Sequence, residues 1–263
     1  MYKAGIIGCG WIGVGISWVI PNKIKEDTHA NAYKNCPKTD LVMVHDSILE
    51  HAQKAGEMWK VKFTSKLSDL FGLDIVSVCT PPETHLSIIR DIAPYVKAIY
   101  CEKPIAENIE DAKEIINVCE KNHAILQINH TRRFTNPIFR FGRELMDTGT
   151  HVFDLLRSMF GDLVYIDGKM ARFKHGPLIE IQYVDTSNLP WDQSHIFEFD
   201  ITHKGGVFIT KGVQHLVECL ELDKQSISSG YEALKTLEAL LLFKESMEIQ
   251  NGKETKGKGT PGQ

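Results

Sequence analysis

The sequence predicts an α/β protein, in which a doubly wound parallel sheet is followed by a smaller α+β domain with a mostly antiparallel sheet. Three observations predict it. Apolar, strand-like runs alternate with amphipathic stretches up to about residue 130, the pattern of a parallel sheet with helices on both faces. The first apolar run ends in a glycine turn, Gly8-Cys9-Gly10-Trp11-Ile12-Gly13, and leads into another apolar stretch. From Asp162 onward the texture changes to short strand-like pieces. At 263 residues, 43% hydrophobic and 24% charged, the chain has room for one or two ordinary globular domains. We divide it into 1–130, 131–250 with helices that return to the first domain, and a Gly- and Lys-rich tail, 251–263, expected to be disordered.

Ala4 to Ile7 reads as the first strand and Val14 to Ile20 as a stretch able to continue as a helix. Pro21 to Thr28 reads as an inserted loop, with His29 to Lys34 resuming the helix. Leu41 to Asp46 is the second strand, and Ser47 to Met58 a helix with a capping-box start, Ser47 with Glu50. Asp74 to Thr80 is a buried strand ended by Pro81-Pro82, followed by a helix from Thr84 to Val96. Ala98 to Cys101 is the next strand. Asn108 is the expected N-cap of a helix reaching Lys121, and Ala124 to His130 completes the unit. In the second part Leu163 to Ile166, Leu178 to Tyr183, Ile196 to Thr202 and Val207 to Ile209 read as strands, with Lys204-Gly205-Gly206 as a hairpin turn. Helices are expected from about Val213 to Leu222 and Gly230 to Ile249.

Strand, glycine turn and helix in that order suit a dinucleotide. Glycines allow a sharp turn, close approach of a pyrophosphate and tight packing of helix on strand, while the helix start offers N–H groups to the anion. This is the Rossmann arrangement, with Gly8, Gly10, Trp11, Ile12 and Gly13 at the cofactor. Asp46 closes the next strand, where a carboxylate accepts hydrogen bonds from the adenosine ribose and repels the extra phosphate of NADP. NAD is therefore expected over NADP. Asp46 also admits a purely local reading, as a cap on the turn that follows it.

A formal net charge of −4 gives no reason to expect nucleic acid. The run Ala4 to Ile20 holds several glycines, is short for a membrane span and shows no cleavage pattern before Pro21, so a cytoplasmic protein without membrane attachment is expected. Cys9, Cys36, Cys79, Cys101, Cys119 and Cys219 are scattered without a CxxC pair and read as small buried side chains rather than as metal ligands. His175, His195, His203 and His215 also lack metal-ligand spacing and are expected to face solvent.

In an open α/β sheet the ligand crosses the carboxyl ends of the strands. Unusual residues cluster there: Thr80-Pro81-Pro82-Glu83-Thr84-His85, Glu102-Lys103-Pro104, and Asn129 to Phe134 (NHTRRF). Further on, Asp147 and His151 stand four residues apart, on one face if Thr148 to Met159 is helical.

With these pieces in place the chain resembles the glucose-fructose oxidoreductase / inositol dehydrogenase (Gfo/Idh/MocA) family. The matching segments are GIIGCGWIG, LVMVHD, VCTPPETH, CEKPIAEN, NHTRRF, DTGTHVFDLLRSMFGD and, nearer the C-terminus, LVECLE and SGYEALKTLEALLLFKES. The resemblance implies an NAD-dependent oxidoreductase acting on a sugar, cyclitol or related polyol, with Lys103, Asp147 and His151 lining the substrate site. It also implies that Cys79, Thr80, Pro81 and His85 border the nicotinamide half of the cofactor and Glu102 its ribose. The chemistry suits these roles. Imidazole titrates near working pH, so His151 is the expected base for the hydroxyl proton. Lys103, aimed by the following proline, can stabilise the developing alkoxide. Asp147 would orient His151 or hold a second hydroxyl. Arg132 and Arg133 could hold an anionic substituent of the substrate, or pair with Glu144 or Asp147.

The chain departs from the family in one respect. Members carry a sizeable segment between the NHxRRF-like and DxxxH elements, and here only Phe134 to Met146 intervenes. The open sheet used for substrate walls and subunit pairing should be reduced, which weakens the expectation of a homo-oligomer. Two other functions stay open: an NAD-dependent glycosidase on the same fold, and a non-catalytic dinucleotide-binding sensor or scaffold.

Overall fold

The computed structural model describes residues 1–18, 27–134, 140–142, 153, 154, 157, 162–167, 170–173, 178–180, 195–198 and 208–257. The chain divides into two compact units, Met1–Asn136 with Ile201–Leu234, and Pro137–Asp200 with Lys235–Gln263.

Six strands form the sheet of the first unit: β1 (Tyr2–Ile7), β2 (Thr39–His45), β3 (Lys62–Thr64), β4 (Ile75–Val78), β5 (Ala98–Cys101) and β6 (Ile125–Ile128). Their order is β3-β2-β1-β4-β5-β6 and every pairing is parallel. This is the doubly wound topology that the alternating pattern predicts. The order reverses between β1 and β4, which opens a crevice at their carboxyl ends. β4 and β5 are buried at every position, as strands covered on both faces must be, Ser77 being the polar exception in β4.

Helices α1 (His29–Asn35), α2 (Leu49–Trp59), α3 (His85–Ile92), α4 (Ile109–Lys121) and α5 (Phe208–Leu222) belong to this unit. Asn108 caps α4 as expected, its side chain accepting the Asp111 N–H at 2.8 Å. The capping box expected at Ser47 does not form. α2 starts at Leu49, and the Ile48 N–H is taken by Asp46 instead, at 3.0 Å. The stretch Val207 to Ile209, expected as a strand, is also corrected: Phe208 and Ile209 open α5, whose buried face carries Ile209, Val213, Leu216 and Val217 into the core with Ala30, Tyr33 and Tyr100. Its apolar residues recur three or four apart, a helical spacing that outweighs the short β-prone start. Burying each such side chain is worth roughly 1.5–3 kcal/mol.

α1 continues the turn begun at Gly10. The Val14 N–H donates to the Gly10 carbonyl, but the carbonyls of Ile12 and Gly13 take the N–H groups of His29 and Ala30. The helical ladder therefore jumps a segment of chain. The break begins after Val14, so Gly15 to Trp18, read as able to continue the helix, do not, and the insertion is longer than the expected Pro21–Thr28 loop, while the resumption at His29 is as expected.

Among its described residues the second unit holds two small antiparallel sheets. β8 (Leu163–Asp167), β9 (Met170–Phe173) and β10 (Leu178–Glu180) form one, and β7 (Arg140–Gly142) with β11 (His195–Glu198) the other. The proposed hairpin at Lys204 to Gly206 lies outside the described residues. The last helix, α6 (Gly230–Gly257), runs past the expected end at Ile249 into the segment read as a disordered tail. Within the second unit Phe153 packs on Phe243, and buried Arg157 donates to Thr236 and Asp162 at 3.0 and 2.8 Å. No helix among the described residues is long and apolar enough to cross a membrane.

Candidate functional site

The strand register sets out the site. Ile7 pairs with His45 and Val78, Val78 with Cys101, and Cys101 with Ile128. The next residue of each strand therefore stands in one row at the carboxyl edge: Asp46, Gly8, Cys79, Glu102 and Asn129. Main-chain bonds tie the row together, from Gly8 N–H to His45 O, Cys79 N–H to Ile7 O, Glu102 N–H to Val78 O and Asn129 N–H to Cys101 O, at 2.8–2.9 Å.

The three glycines of the turn face different surroundings. Gly8 has φ +97°, where L side chains are strained, and a Cβ there would lie 2.8 Å from the Cys79 carbonyl oxygen. At Gly13 a Cβ would drive into the Gly8 carbonyl oxygen. At Gly10 it would meet nothing of the protein within 4 Å. The first glycine makes the turn, the third packs helix on strand, and the second is not required by any contact among the described residues. Trp11 and Ile12 follow, half-buried. Asp46 lies against the turn, its Oδ2 accepting the Cys9 N–H at 2.9 Å and its Oδ1 the Ile48 N–H at 3.0 Å. Each carboxylate oxygen retains a further lone pair for a hydroxyl. Burial, with Asp46 adding to it, pushes the Cys9 thiol up to about 12, so this cysteine is no nucleophile.

Lys103 follows β5 at the edge and is half-buried. The Glu102 side chain turns inward, 9% exposed, where its Oε1 accepts from Asn129 Nδ2 at 2.6 Å and meets His29 Nε2 at 3.0 Å. Its Oε2 accepts the Lys103 N–H at 3.2 Å. Burial alone would raise this carboxyl; His29 and the Asn129 amide, with the Lys103 ammonium, outweigh burial and hold it at about 2. Beyond them Ser77 Oγ lies 2.8 Å from His29 Nδ1 and 2.7 Å from the Tyr33 hydroxyl, and Tyr100 donates to Asn129 Oδ1 at 2.6 Å. These contacts form one continuous chain from Tyr33 through Ser77 and His29 to Glu102. Ser77, His29 and Glu102 thus have the connectivity of a hydrolase triad, but Ser77 is wholly buried and its oxygen occupied. The network supports the loop that carries Lys103.

His85 is also wholly buried. Its nitrogens lie 3.1 Å from the Ile105 carbonyl and 2.9 Å from that of Thr80, so it staples the Thr80-Pro81 turn to the segment after Lys103. This is a correction to the expected contact with cofactor: His85 stands behind the turn. Glu102 has Oε1 taken by Asn129 and His29 and Oε2 by the Lys103 N–H, so only Oε2 keeps a lone pair for the ribose expected to meet it. Cys79 and Thr80 are half-buried and Pro81 exposed.

Arg133 is engaged within the protein. Its guanidinium donates to the Ile227 carbonyl at 3.0 Å and to Glu232 at 3.2 Å, neither of them the acids weighed for it in the sequence. Arg132 lies in the turn Thr131–Phe134, with its side chain outside the described structure. Asp147 and His151 lie outside the described residues. His215 is half-buried, not solvent-facing, and accepts the Ile227 N–H at 3.2 Å. All the cysteines but Cys79, which is half-buried, are buried and unpaired, as read.

Sequence reasoning missed the network beneath Lys103. Its signal was present in polar Ser77, Gln127 and Asn129 within otherwise apolar strands, since buried polar groups require partners.

Comparison with known proteins agrees with this geometry. Residues 2–130 match the GFO_IDH_MocA family, described as an oxidoreductase family with an NAD-binding Rossmann fold. Inositol 2-dehydrogenase of Rhizobium meliloti is 29% identical over 149 residues, 56% of this chain and 41% of that protein. D-xylose 1-dehydrogenase (NADP(+)) of Haloarcula marismortui is 32% identical over 108 residues, 41% of this chain and 26% of that protein. The match thus spans less than half the length of these curated relatives. The crystal structure of UDP-N-acetylglucosamine 3-dehydrogenase GnnA from Acidithiobacillus ferrooxidans superposes with a TM-score of 0.72 at 17% identity, covering 94% of this chain and 98% of that one, a likeness of fold. Residues 2–130, with their glycine turn, the acid after β2 and the Glu-Lys-Pro edge, thus belong to the GFO_IDH_MocA oxidoreductase family with its NAD-binding Rossmann fold.

Proposed function

We propose that the chain is an NAD(H)-dependent oxidoreductase that transfers a hydride between nicotinamide and a secondary hydroxyl or ketone of a sugar, cyclitol or related polyol. The observation that carries the reading is Gly10, where an added Cβ would meet no neighbouring atom of the described residues within 4 Å, in a turn whose other two glycines are required by the fold itself. A pyrophosphate accounts for it. The relatives named for inositol and xylose dehydrogenation support the substrate class.

The bound nicotinamide supplies the hydride acceptor, and the rest is done by side chains. The turn from Gly8 to Gly13 offers main-chain N–H groups to the anion. Asp46, already fixed by Cys9 and Ile48, accepts from ribose hydroxyls with its remaining lone pairs, which favours NAD over NADP. Lys103 donates to the substrate oxygen and stabilises charge as it becomes an alkoxide. His151 removes the hydroxyl proton, and Asp147 orients it. Thr80 and Pro81 border the nicotinamide, held in place from behind by His85.

NADH titrated into the protein, followed by a panel of sugars and polyols with NAD while reduced cofactor is monitored, tests this. Binding and turnover are expected, with turnover lost and NADH binding retained in Lys103→Ala. Binding without turnover on any polyol would replace dehydrogenation with a glycosidase or a dinucleotide sensor, according to whether a glycoside is cleaved. No binding would remove the cofactor reading altogether.

A further inference from the structure

The insertion into α1 brings a large aromatic side chain back to the edge of the site. The Trp18 indole N–H donates to the Cys9 carbonyl within the glycine turn at 2.8 Å. Its ring lies flat on the His51 imidazole of α2, with centroids 3.7 Å apart and planes 11° from parallel. His51 Nδ1 stands 3.7 Å from Asp46 Oδ1, and Asp46 Oδ2 accepts the Cys9 N–H. Trp18, Cys9, Asp46 and His51 therefore close a ring of contacts around the end of β2. Trp18 is nevertheless 37% exposed, and Lys54 Nζ lies 5.2 Å from its ring centroid. An aromatic ring held by its single polar atom, backed by a second ring and open beside a carboxylate is a platform for a flat ligand.

We infer that Trp18, backed by His51, is the stacking platform for the adenine of the dinucleotide, an inference that rests on the cofactor reading above. Position decides which end of the cofactor it takes. Asp46 follows β2 and Lys103 follows β5, three strand spacings away, or about 14 Å. The two ends of an extended dinucleotide are separated on that scale, and Trp18 stands at the Asp46 end. The glycine turn alone does not supply this contact. It comes from the inserted segment, so affinity for the adenosine half is set by a feature of this chain outside the strand–turn–helix pattern. The Lys54 ammonium adds positive charge where an anionic ligand arrives.

Trp18→Ala, Trp18→Phe and His51→Ala are titrated with NADH, with ADP-ribose, and with reduced nicotinamide mononucleotide, which lacks the adenosine half. Trp18→Ala is expected to weaken NADH and ADP-ribose about tenfold, and to leave the mononucleotide unchanged. Trp18→Phe keeps a ring and should retain most of the affinity, while His51→Ala, which leaves the insertion intact, should lose severalfold. Unaltered NADH affinity in both Trp18→Ala and His51→Ala overturns the inference while leaving the cofactor reading intact. Tighter binding in Trp18→Ala also overturns it, because the indole would then occupy the place of the base. Failure of the unaltered chain to bind NADH overturns both.

Discussion

Replacing His29 with leucine removes the donor to Glu102 while roughly keeping the volume of the imidazole. In the native protein the Glu102 carboxyl is held at about 2, against an ordinary value of 4.5, a difference that corresponds to about 3 kcal/mol in favour of the folded state. Because the folded value is depressed, this stability is present above pH 4.5 and is lost as pH falls through about 2. In His29→Leu the strongest opposition to burial is gone, so the carboxylate becomes a buried charge with too few partners. Such losses cost about 3–5 kcal/mol near neutrality, or roughly 6–20 °C in Tm for a chain of this size. Urea unfolding of both proteins between pH 7 and pH 3 measures the gap directly. The gap should be widest at pH 7 and narrow as the solution becomes acidic, since a protonated Glu102 suffers little from losing His29. A gap that is equal at both ends of the range, or below about 1 kcal/mol at pH 7, would refute the reasoning.

Other consequences are as direct. Gly212→Ala places a methyl group against the Tyr100 hydroxyl, and should destabilise the first unit by about 1–3 kcal/mol in thermal or urea unfolding as Tyr100 lets go of Asn129. Asp46→Ala should weaken NAD binding and reduce its advantage over NADP, by about tenfold if the ribose hydrogen bonds are charge-assisted; an unaltered NAD/NADP affinity ratio would reject a ribose role. Asn108→Ala should cost about 1 kcal/mol in unfolding experiments through loss of the α4 cap.

Much of the first unit is legible in the sequence, because parallel strands buried on both faces are long apolar runs and the turns between them carry glycine, proline and a capping asparagine. β3 escaped notice: Lys62-Phe63-Thr64 is a short edge strand with two exposed side chains, so it has no apolar run to announce it. The resumption of α1 at His29 was legible from the distance between Gly13 and Asp46, but not that Ile12 and Gly13 bond to His29 and Ala30 across the insertion. That bond pattern exists only once the chain is folded. The place of Lys103 at the edge after β5 was legible, whereas the inward turn of Glu102 was not. A carboxylate beside a lysine at a strand end reads as part of the site, and only the positions of His29 and Asn129, remote in sequence, reveal that its Oε1 is bound into the core. The pairing of Arg133 with Glu232 was hidden for the same reason, the two lying far apart along the chain.

The central claim, that the glycine turn is built around a dinucleotide, is tested most directly by titrating NADH into the native protein and into Gly10→Ala. A methyl group at Gly10 meets no protein atom within 4 Å, so the variant should unfold at the same temperature as the native chain. The same methyl stands where the pyrophosphate must approach, so NADH affinity should fall by at least tenfold, on the order of a single lost close contact to the anion. Equal NADH binding by the two proteins, or none by the native one, would contradict the account.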